Sequence, residues 1–302
     1  MTSLYQAISD YVEENARIHK VSIRAVTQLV GVSRSGFKSW VNRKKSKQQQ
    51  YKERVQIRIK EIYDKSKEIY GSPKITHILR QEGYKISQKT VSNYMREMGI
   101  KACYIKPWTK TTISKDFSTN LKNILKRDFN PKGPDAAWCT DITYIWTYTE
   151  GFVYLTSIMD LYSRKIIAWV LTKDMTAQSV LEVIKTAKQR RNIQQPLVIH
   201  SDRGIQFTSE EYRELTEKMK RSYSKKGTPW DNACIESFHA IIKREWLNRY
   251  KIWDYQQAKR LIFEYIETFY NTIRIHGHCD YLSPDEYEKE YYANQIKQLN
   301  LN

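Results

Sequence analysis

The stretch Pro196-Leu-Val-Ile-His-Ser-Asp-Arg-Gly204 decides the fold, because an apolar run stops there at a short charged turn. A run of this length that is bounded by turn residues is typical of a buried strand. We therefore expect residues 197–200 to form a strand in the sheet of an α/β domain. Asp202 would then lie at the carboxyl end of that strand, where the sheet opens to solvent.

A second stretch, Asp231-Asn-Ala-Cys-Ile-Glu-Ser-Phe-His-Ala-Ile-Ile-Lys243, predicts a helix. Pro229 and the polar pair Asp231-Asn232 are typical of a helix start. Apolar residues then recur at helical spacing: Ile235, Phe238, Ile242 and Trp246. Glu236 and Lys243 would share the opposite face with Ala240.

Three carboxylates on three separate elements, Asp141, Asp202 and Glu236, suit a metal site. Mg²⁺ takes oxygen ligands and is usually held by a few carboxylates together with substrate phosphate and water. Two such ions about 4 Å apart can activate the attacking oxygen and stabilise the leaving oxygen of an in-line phosphoryl displacement. Any one of these residues alone is more simply read as a solvated charge or a helix cap.

Five segments of the sequence carry a resemblance to a known family. They are Trp138-Cys-Thr-Asp141-Ile-Thr-Tyr144, Ile158-Met-Asp-Leu-Tyr-Ser-Arg164, His200-Ser-Asp202-Arg-Gly204, Ser224-Lys-Lys-Gly227 and Asp231-Asn-Ala-Cys-Ile-Glu236-Ser-Phe-His239. With them the chain resembles the integrase-core (DDE) transposases of bacterial insertion sequences. More narrowly, it resembles the downstream-frame product of elements that carry two overlapping reading frames. That core is similar to retroviral integrase.

The resemblance implies a ribonuclease H-like α/β core, a mixed five-stranded sheet with flanking helices, preceded by an all-α helix-turn-helix region. It implies that Asp141, Asp202 and Glu236 are catalytic and bind two Mg²⁺ or Mn²⁺ ions, and that Lys243 contacts the end of the element. The implied partners are double-stranded DNA, as terminal inverted repeats and as target, and further copies of the chain on that DNA. An upstream-frame protein, or a frameshifted fusion with it, is a further implied partner.

The spacing of the three acidic residues departs from the family pattern at one place. Sixty residues separate Asp141 from Asp202, as the pattern requires, but only 33 separate Asp202 from Glu236, two fewer than usual. The shortfall falls around residues 217–222, where the family has a glycine-containing turn and a short strand. Either a loop absorbs the difference, or the helix that bears Glu236 is displaced from the metals.

The charge of the chain is uneven. The 302 residues carry a formal net charge of +18. Residues 1–130 hold 27 Lys and Arg against 11 Asp and Glu, whereas residues 131–302 hold 24 against 22. A positive field concentrated in the first half favours binding to a phosphate backbone. The alternative is a basic surface that only confers solubility.

The first 45 residues predict a helix-turn-helix DNA-binding segment. Helical patterns cover residues 4–17, 22–31 and 33–41, with glycine ending the second and serine starting the third. In such a motif the second helix of the pair enters the major groove. Arg34, Ser35 and Lys38 would then contact DNA. The alternative is a three-helix bundle whose basic residues only face solvent.

Residues 51–100 predict a second domain of helix-turn-helix type. Helical patterns cover residues 51–70, 71–79 and 87–96, and Lys89 lies on the last of these, which resembles a recognition helix. The polar residues 43–50 indicate a linker, with helical continuation as the alternative. Residues 101–134 indicate a basic linker, an extended tether that follows DNA or a partner subunit.

The catalytic core with its C-terminal helical extension is expected at residues 135–290. Three β-rich runs, 138–145, 151–160 and 165–173, predict an antiparallel meander. Helices are expected at residues 176–191, 209–218, from 231 onward, and last at 253–270. If the strand at 197–200 lies beside the first run, Asp141 and Asp202 can approach each other.

Several polar residues near the expected site have two interpretations each. Arg203, Lys225 and Lys226 are candidates for contacts with DNA phosphates, or they are solvated charges. His200 could orient Asp202 or be structural. For Asp160 we favour a role in a turn or an ion pair over metal binding. His276 and His278 have no matching ligands, so no metal is assigned to them.

The four cysteines form no CxxC pair, which disfavours a zinc knuckle and a disulfide framework. The sequence has no run of 18 apolar residues and does not begin as a signal peptide does, so no membrane partner is expected. We expect a soluble, cytoplasmic and nucleoid-associated protein.

These observations favour a transposase that uses divalent metal ions to cleave DNA at the ends of an insertion sequence and to transfer the freed strand into target DNA. Three crowded carboxylates repel one another, so metal binding should order the site. One alternative is a non-catalytic DNA-binding repressor or an inactive remnant of a transposable element. Another is a metal-dependent nuclease of this fold without end specificity.

Overall fold

The computed structural model describes residues 2–15, 22–103, 121–193 and 196–299. They fall into two compact units, Met1–Lys60 and Glu61–Asn302. Residues 16–17 of the first expected helix, and residues 104–120 of the expected tether, lie outside the described residues.

The first unit contains three short helices and most of a fourth: α1 (Thr2–Asn15), α2 (Ile23–Leu29), α3 (Arg34–Val41) and α4 (Lys47–Lys65). Ser33 begins α3 by accepting a hydrogen bond from the backbone N–H of Gly36. Gly31 has a φ of +73° in the turn before it, a conformation that glycine adopts without strain. The expected helices and the glycine turn between the second and third are therefore present, whereas DNA binding by this segment stays a prediction. The expected linker at residues 43–50 is wrong in its second half, because α4 begins at Lys47 and Lys and Gln are good helix formers.

Two more helices begin the second unit, α5 (Ser72–Gln81) and α6 (Gln88–Glu97). Ser87 begins α6 by accepting a hydrogen bond from the N–H of Thr90. The end of the unit lies close by, because the hydroxyl of Tyr70 donates to the carbonyl of Ile273 (3.3 Å) and accepts from the N–H of Ile275 (3.0 Å).

A mixed five-stranded sheet forms the centre of the second unit. Its strands are β1 (Ala137–Thr147), β2 (Gly151–Asp160), β3 (Ile166–Thr172), β4 (Val198–Ser201) and β5 (Lys220–Tyr223), and their order is β3-β2-β1-β4-β5. The first three strands form an antiparallel meander, whereas β4 is parallel to both β1 and β5. The expected meander and the pairing of β1 with β4 are confirmed. Strand β5 lies where the two-residue shortfall between Asp202 and Glu236 had put the family's short strand in doubt.

Helix α7 (Ala177–Arg190) covers one face of the sheet. Trp138 of β1 and Ile158 of β2 are buried with its apolar residues Val180, Val183 and Ile184. The helix expected at residues 209–218 is shorter than predicted, because α8 spans only Glu210–Leu215. A short turn then leads directly into β5.

Three helices complete the unit: α9 (Ala233–Glu245), α10 (Tyr255–Tyr265), which continues as one π-helical turn at Ile266–Tyr270, and α11 (Pro284–Leu299). The expectation that residues 253–270 form the last helix is therefore wrong. Ser283 and Glu286 cap α11 reciprocally: the Ser283 N–H donates to Glu286 Oε2 (2.9 Å) and Ser283 Oγ accepts from the Glu286 N–H (3.3 Å).

The chain between the tether and β1 lies against the core. The Tyr223 N–H donates to the Lys122 carbonyl (3.0 Å), and the N–H groups of Ile124 and Leu125 both donate to Ser222 Oγ (2.9 Å each). Residues 121–125 thus follow β5 rather than extending freely, in contrast to the expected tether.

All four cysteines are free thiols, as expected. Within the described ranges, no helix combines the length and the apolar character that are needed to cross a membrane.

Candidate active site

Strands β1 and β4 position Asp141 and Asp202. The two strands are parallel, and the last residues paired between them are Cys139 and His200. Asp141 follows two residues after Cys139 within β1, and Asp202 follows two residues after His200, immediately after β4 ends at Ser201. Because β1 and β4 are adjacent and parallel, Asp141 and Asp202 both lie toward the carboxyl end of β4.

The loop after β4 holds the carboxylate of Asp202 from its own backbone. The N–H of Gly204 donates to Asp202 Oδ1 at 2.9 Å. A Cβ atom at position 204 would lie 3.0 Å from that same oxygen and 2.9 Å from Gln206 Oε1. A side chain at position 204 would therefore displace the Gln206 amide and press on the Asp202 carboxylate.

Helix α9 brings Glu236 to the face of the sheet that bears Asp141. Three side chains of one helical face reach β1: Asn232 donates to the Thr140 carbonyl (3.2 Å), His239 lies 3.4 Å from Asp141 Oδ2, and Lys243 donates to Thr143 Oγ1 (2.7 Å). Glu236 lies four residues after Asn232, three before His239 and seven before Lys243, so it shares their helical face. The shorter spacing has thus not turned this face away from β1.

The start of α9 is fixed by the buried carboxylate of Asp231. It accepts hydrogen bonds from Arg127 Nε (2.6 Å), Asn123 Nδ2 (2.8 Å) and the N–H of Lys225 (2.9 Å). Burial alone would raise the pKa of Asp231, but these donors and the Arg127 charge lower it below its ordinary value. The segment before β1, the loop after β5 and α9 therefore meet at one ionised side chain.

The three candidate ligands border one site without converging on one point. Among the described residues, no group of three or more His, Cys, Asp or Glu side chains is close enough together to hold a metal ion. The chemistry of the donors nevertheless fits a hard divalent cation, since all three are carboxylates and Mg²⁺ prefers oxygen ligands.

His239 is a site residue that sequence reasoning missed. Its ring is buried between α9 and the sheet, with Nε2 at 2.7 Å from Ser157 Oγ and Nδ1 at 3.4 Å from Asp141 Oδ2. Its position three residues after Glu236, on the same helical face, was the signal that could have found it.

The basic residues expected to bind DNA near the site have different surroundings. Arg203 donates to the carbonyls of Ser224 (2.9 Å) and Leu121 (3.4 Å), which joins the loop after β4 to the chain beside β5. The Lys243 ammonium lies 4.6 Å from the centre of the Tyr144 ring, in addition to its bond with Thr143. Lys225 and Lys226 are exposed.

His200 has a structural role here. Its Nδ1 lies 2.9 Å from Ser222 Oγ and its Nε2 lies 3.1 Å from Ser224 Oγ, so the ring links β4 to β5 and its continuation. Burial lowers the pKa of His200 to about 4, which keeps the ring neutral at pH 7.

Asp160 also has the role that we favoured, in a turn. It accepts hydrogen bonds from the N–H groups of Tyr162 (2.7 Å) and Asp135 (2.7 Å). The bond from Tyr162 stabilises the turn between β2 and β3, and the bond from Asp135 ties that turn to the segment before β1.

The DNA-binding candidates of the helical regions are all exposed. Arg34, Ser35 and Lys38 lie on α3, and Lys89 lies on α6. Phe37 is buried on the other side of α3, which leaves the polar side chains available for a ligand.

Comparison with protein families supports this architecture. Residues 131–229 and 217–284 match two models that are both described as an integrase core domain. Residues 50–107 match a model described as an HTH-like domain.

Two curated relatives match most of the chain. Transposase InsF for insertion sequence IS3A of Escherichia coli (strain K12) is 33% identical over 276 residues, which cover 90% of this chain and 96% of the relative. The transposase for insertion sequence element IS904 of Lactococcus lactis subsp. lactis (strain IL1403) is 35% identical over 251 residues, which cover 82% of this chain and 99% of the relative.

Solved structures of lower similarity include two retroviral integrase cores. The HTLV-2 integrase catalytic core domain in complex with magnesium (dimeric form) has 20% identity and a TM-score of 0.37, over 48% of this chain and 92% of that one. The catalytic core domain of BIV integrase has 18% identity and a TM-score of 0.40, over 54% of this chain and 99% of that one.

Proposed function

We propose that this chain, which belongs to the IS3 family of transposases with an integrase core, cleaves DNA at the ends of its insertion sequence and joins the freed strand to target DNA. The observation that carries the proposal is the parallel pairing of β1, which bears Asp141, with β4, which ends immediately before Asp202. Helix α9 adds Glu236 from the same side.

Asp141, Asp202 and Glu236 would hold divalent cations, Mg²⁺ or Mn²⁺, with two ions per site. Bound there, such ions activate the attacking oxygen and stabilise the leaving oxygen of a phosphoryl transfer. The protein's own part would be to hold Asp141 on a strand, Asp202 in a loop that is fixed by the Gly204 N–H, and Glu236 on a helix. No covalent bond between protein and DNA is required.

The DNA would be held by the basic first half of the chain. Its net charge of +16 over residues 1–130 (27 minus 11) suits a phosphate backbone, and Arg34, Lys38 and Lys89 lie exposed on the helices expected to read DNA. The ligands would be the terminal inverted repeats and the target duplex. Further copies of the chain, and an upstream-frame protein or a fusion with it, would complete the assembly.

A second candidate function is a DNA-binding protein that does not cut. It is favoured by one observation, that no three acidic side chains among the described residues are gathered at metal-binding distance. Under this alternative the helical regions bind element ends, and the core serves only as a scaffold.

A strand-transfer assay separates the two. Labelled element ends and a duplex of random sequence are incubated with Mg²⁺ and with wild type, Glu236→Gln or the control Glu264→Gln, whose carboxylate is exposed on α10. We expect wild type and the control to cleave and join the element end, and Glu236→Gln to lose activity at least 100-fold, in keeping with loss of a metal ligand. Binding of the end without product in any of the three supports the non-catalytic alternative. Equal cleavage of both duplexes would indicate a nuclease without end specificity.

A further inference from the structure

We propose that His239 is a positioning residue, which holds the Asp141 carboxylate in the orientation that divalent-metal binding requires. This inference rests on the proposed function of Asp141, and it concerns a residue that is not itself a ligand.

The ring of His239 joins two adjacent strands of the sheet. Asp141 of β1 and Ser157 of β2 are directly paired in the antiparallel register, so their side chains lie side by side on one face. His239 reaches this pair from α9, with Nε2 at 2.7 Å from Ser157 Oγ and Nδ1 at 3.4 Å from Asp141 Oδ2. Its side chain is only 6% exposed and that of Asp141 16%, so the contact is largely shielded from water.

The chemistry of the partners fixes which nitrogen faces which group. An ionised carboxylate can only accept hydrogen bonds, so a hydrogen bond between His239 and Asp141 requires that Nδ1 carry the hydrogen. In the neutral ring Nε2 then accepts the hydrogen of the Ser157 hydroxyl. Ser157 is completely buried in a strand that has neighbours on both sides, which makes it a rigid support for the ring.

Packing alone does not account for a histidine at this position. A buried imidazole is stabilised only when its two nitrogens have polar partners, whereas an apolar side chain would fill the same space without that requirement. The adjacent Phe238 is held by apolar packing instead, since its ring packs edge-on against Tyr270. At His239 one nitrogen is held by the sheet and the other is directed at a candidate ligand, an arrangement by which proteins orient ligands from outside the metal's own coordination.

The distance to Asp141 is longer than a usual N–H···O bond of about 2.9 Å. Contacts of this kind in sites without substrate are often long and shorten in the working complex. Removal of the Nδ1–H donor should therefore weaken metal binding more than it weakens folding.

Two substitutions test this because each keeps one of the ring's two polar interactions. His239→Asn keeps a donor at the place of Nδ1 and removes the interaction with Ser157. His239→Gln keeps a polar group at the place of Nε2 and removes the donor to Asp141. The readouts on the full chain are Mn²⁺ affinity by calorimetry, the single-turnover rate of strand transfer with Mg²⁺, and thermal unfolding without metal.

We expect His239→Gln to lower the Mn²⁺ affinity and the rate about 10- to 100-fold, the usual effect of removing a group that orients a metal ligand. The Mn²⁺ affinity and the strand-transfer rate of His239→Asn should stay within about threefold of wild type. This variant should nevertheless unfold at the same or a lower temperature than His239→Gln. Equal losses in the two variants, or wild-type values in both, would overturn the inference. If wild type itself neither binds Mn²⁺ nor transfers strands, the proposed function fails first, which is a different result.

Discussion

The carboxyl end of α9 is fixed by a buried ion pair, and its removal should cost a large part of the protein's stability. Arg274 donates to Glu245 through Nε (2.7 Å) and Nη2 (2.6 Å), and the hydroxyl of Tyr265 donates to the same carboxylate (2.7 Å). The side chains of Arg274 and Glu245 are only 8% and 6% exposed. Burial alone would raise the pKa of Glu245, but the Arg274 hydrogen bonds and charge lower it, so the pair is ionised at neutral pH.

The substitution Glu245→Gln keeps the shape but removes the charge. One of the two guanidinium bonds is lost, since the amide offers a single oxygen, and Arg274 remains buried without a countercharge. Breaking a buried pair in this way costs about 3–5 kcal/mol. The matched control is Glu264→Gln: the Lys67–Glu264 pair has a similar distance (3.0 Å) but side chains that are 39% and 43% exposed. An exposed pair contributes about 0–1 kcal/mol.

The assay is equilibrium unfolding in urea, followed by tryptophan fluorescence at pH 7. We expect the unfolding midpoint of Glu245→Gln to fall well below that of wild type, while that of Glu264→Gln stays close to it. A loss of less than about 1 kcal/mol in Glu245→Gln would refute the reasoning, because the pair would then contribute no more than an exposed one.

Three further predictions concern the site and the DNA-binding region. Gly204→Ala should lower the rate of strand transfer at least tenfold with little change in unfolding temperature, because the new methyl group would press on the Asp202 carboxylate. A rate equal to that of wild type in a direct comparison would contradict this. Asp231→Asn should be less stable than wild type at pH 7. The difference in stability should narrow as the pH falls below about 4, because a carboxyl with a lowered folded-state pKa contributes fully above its unfolded pKa and loses that contribution as the pH falls through its folded pKa. Thermal melts of both proteins across that pH range check this, and a constant difference speaks against an ionised Asp231. Replacing both Arg34 and Lys38 by Ala should weaken binding to element ends. The slope of log affinity against log salt concentration should also fall by about 2, one for each phosphate that is no longer neutralised. An unchanged slope in a filter-binding titration would exclude a role for either side chain in binding the DNA backbone.

The central sheet was predictable because its strands carry strong local signals. β1 to β4 are rich in β-branched and aromatic residues and are bounded by turns, so both their existence and the pairing of β1 with β4 could be expected from the sequence. β5 could not be recognised from its own residues, Lys220-Arg-Ser-Tyr223, which contain no apolar run. It forms because its backbone pairs with β4 and Ser222 bonds to His200 and to the chain at residues 124–125.

The helix that sequence reasoning missed, α11, lacks a strong apolar stripe. α11 buries few of its side chains, although its start carries the Ser283–Glu286 capping box that a search for helix caps would have found. At the site, Glu236 was marked by its motif, but the role of His239 depends on Ser157, which lies 82 residues earlier in the chain. A contact over that distance follows from the sheet register and cannot be inferred from local spacing.

The most direct test of the account is whether the carboxylates of Asp141, Asp202 and Glu236 bind divalent cations together. Calorimetric titration of Mn²⁺ into the full chain should give binding to wild type, and the heat should be lost or strongly reduced in Asp202→Asn and in Glu236→Gln. The melting temperatures of the variants without metal should remain near that of wild type. Identical titration curves for wild type and both variants, or no binding to wild type, would contradict the assignment of these carboxylates as a metal site.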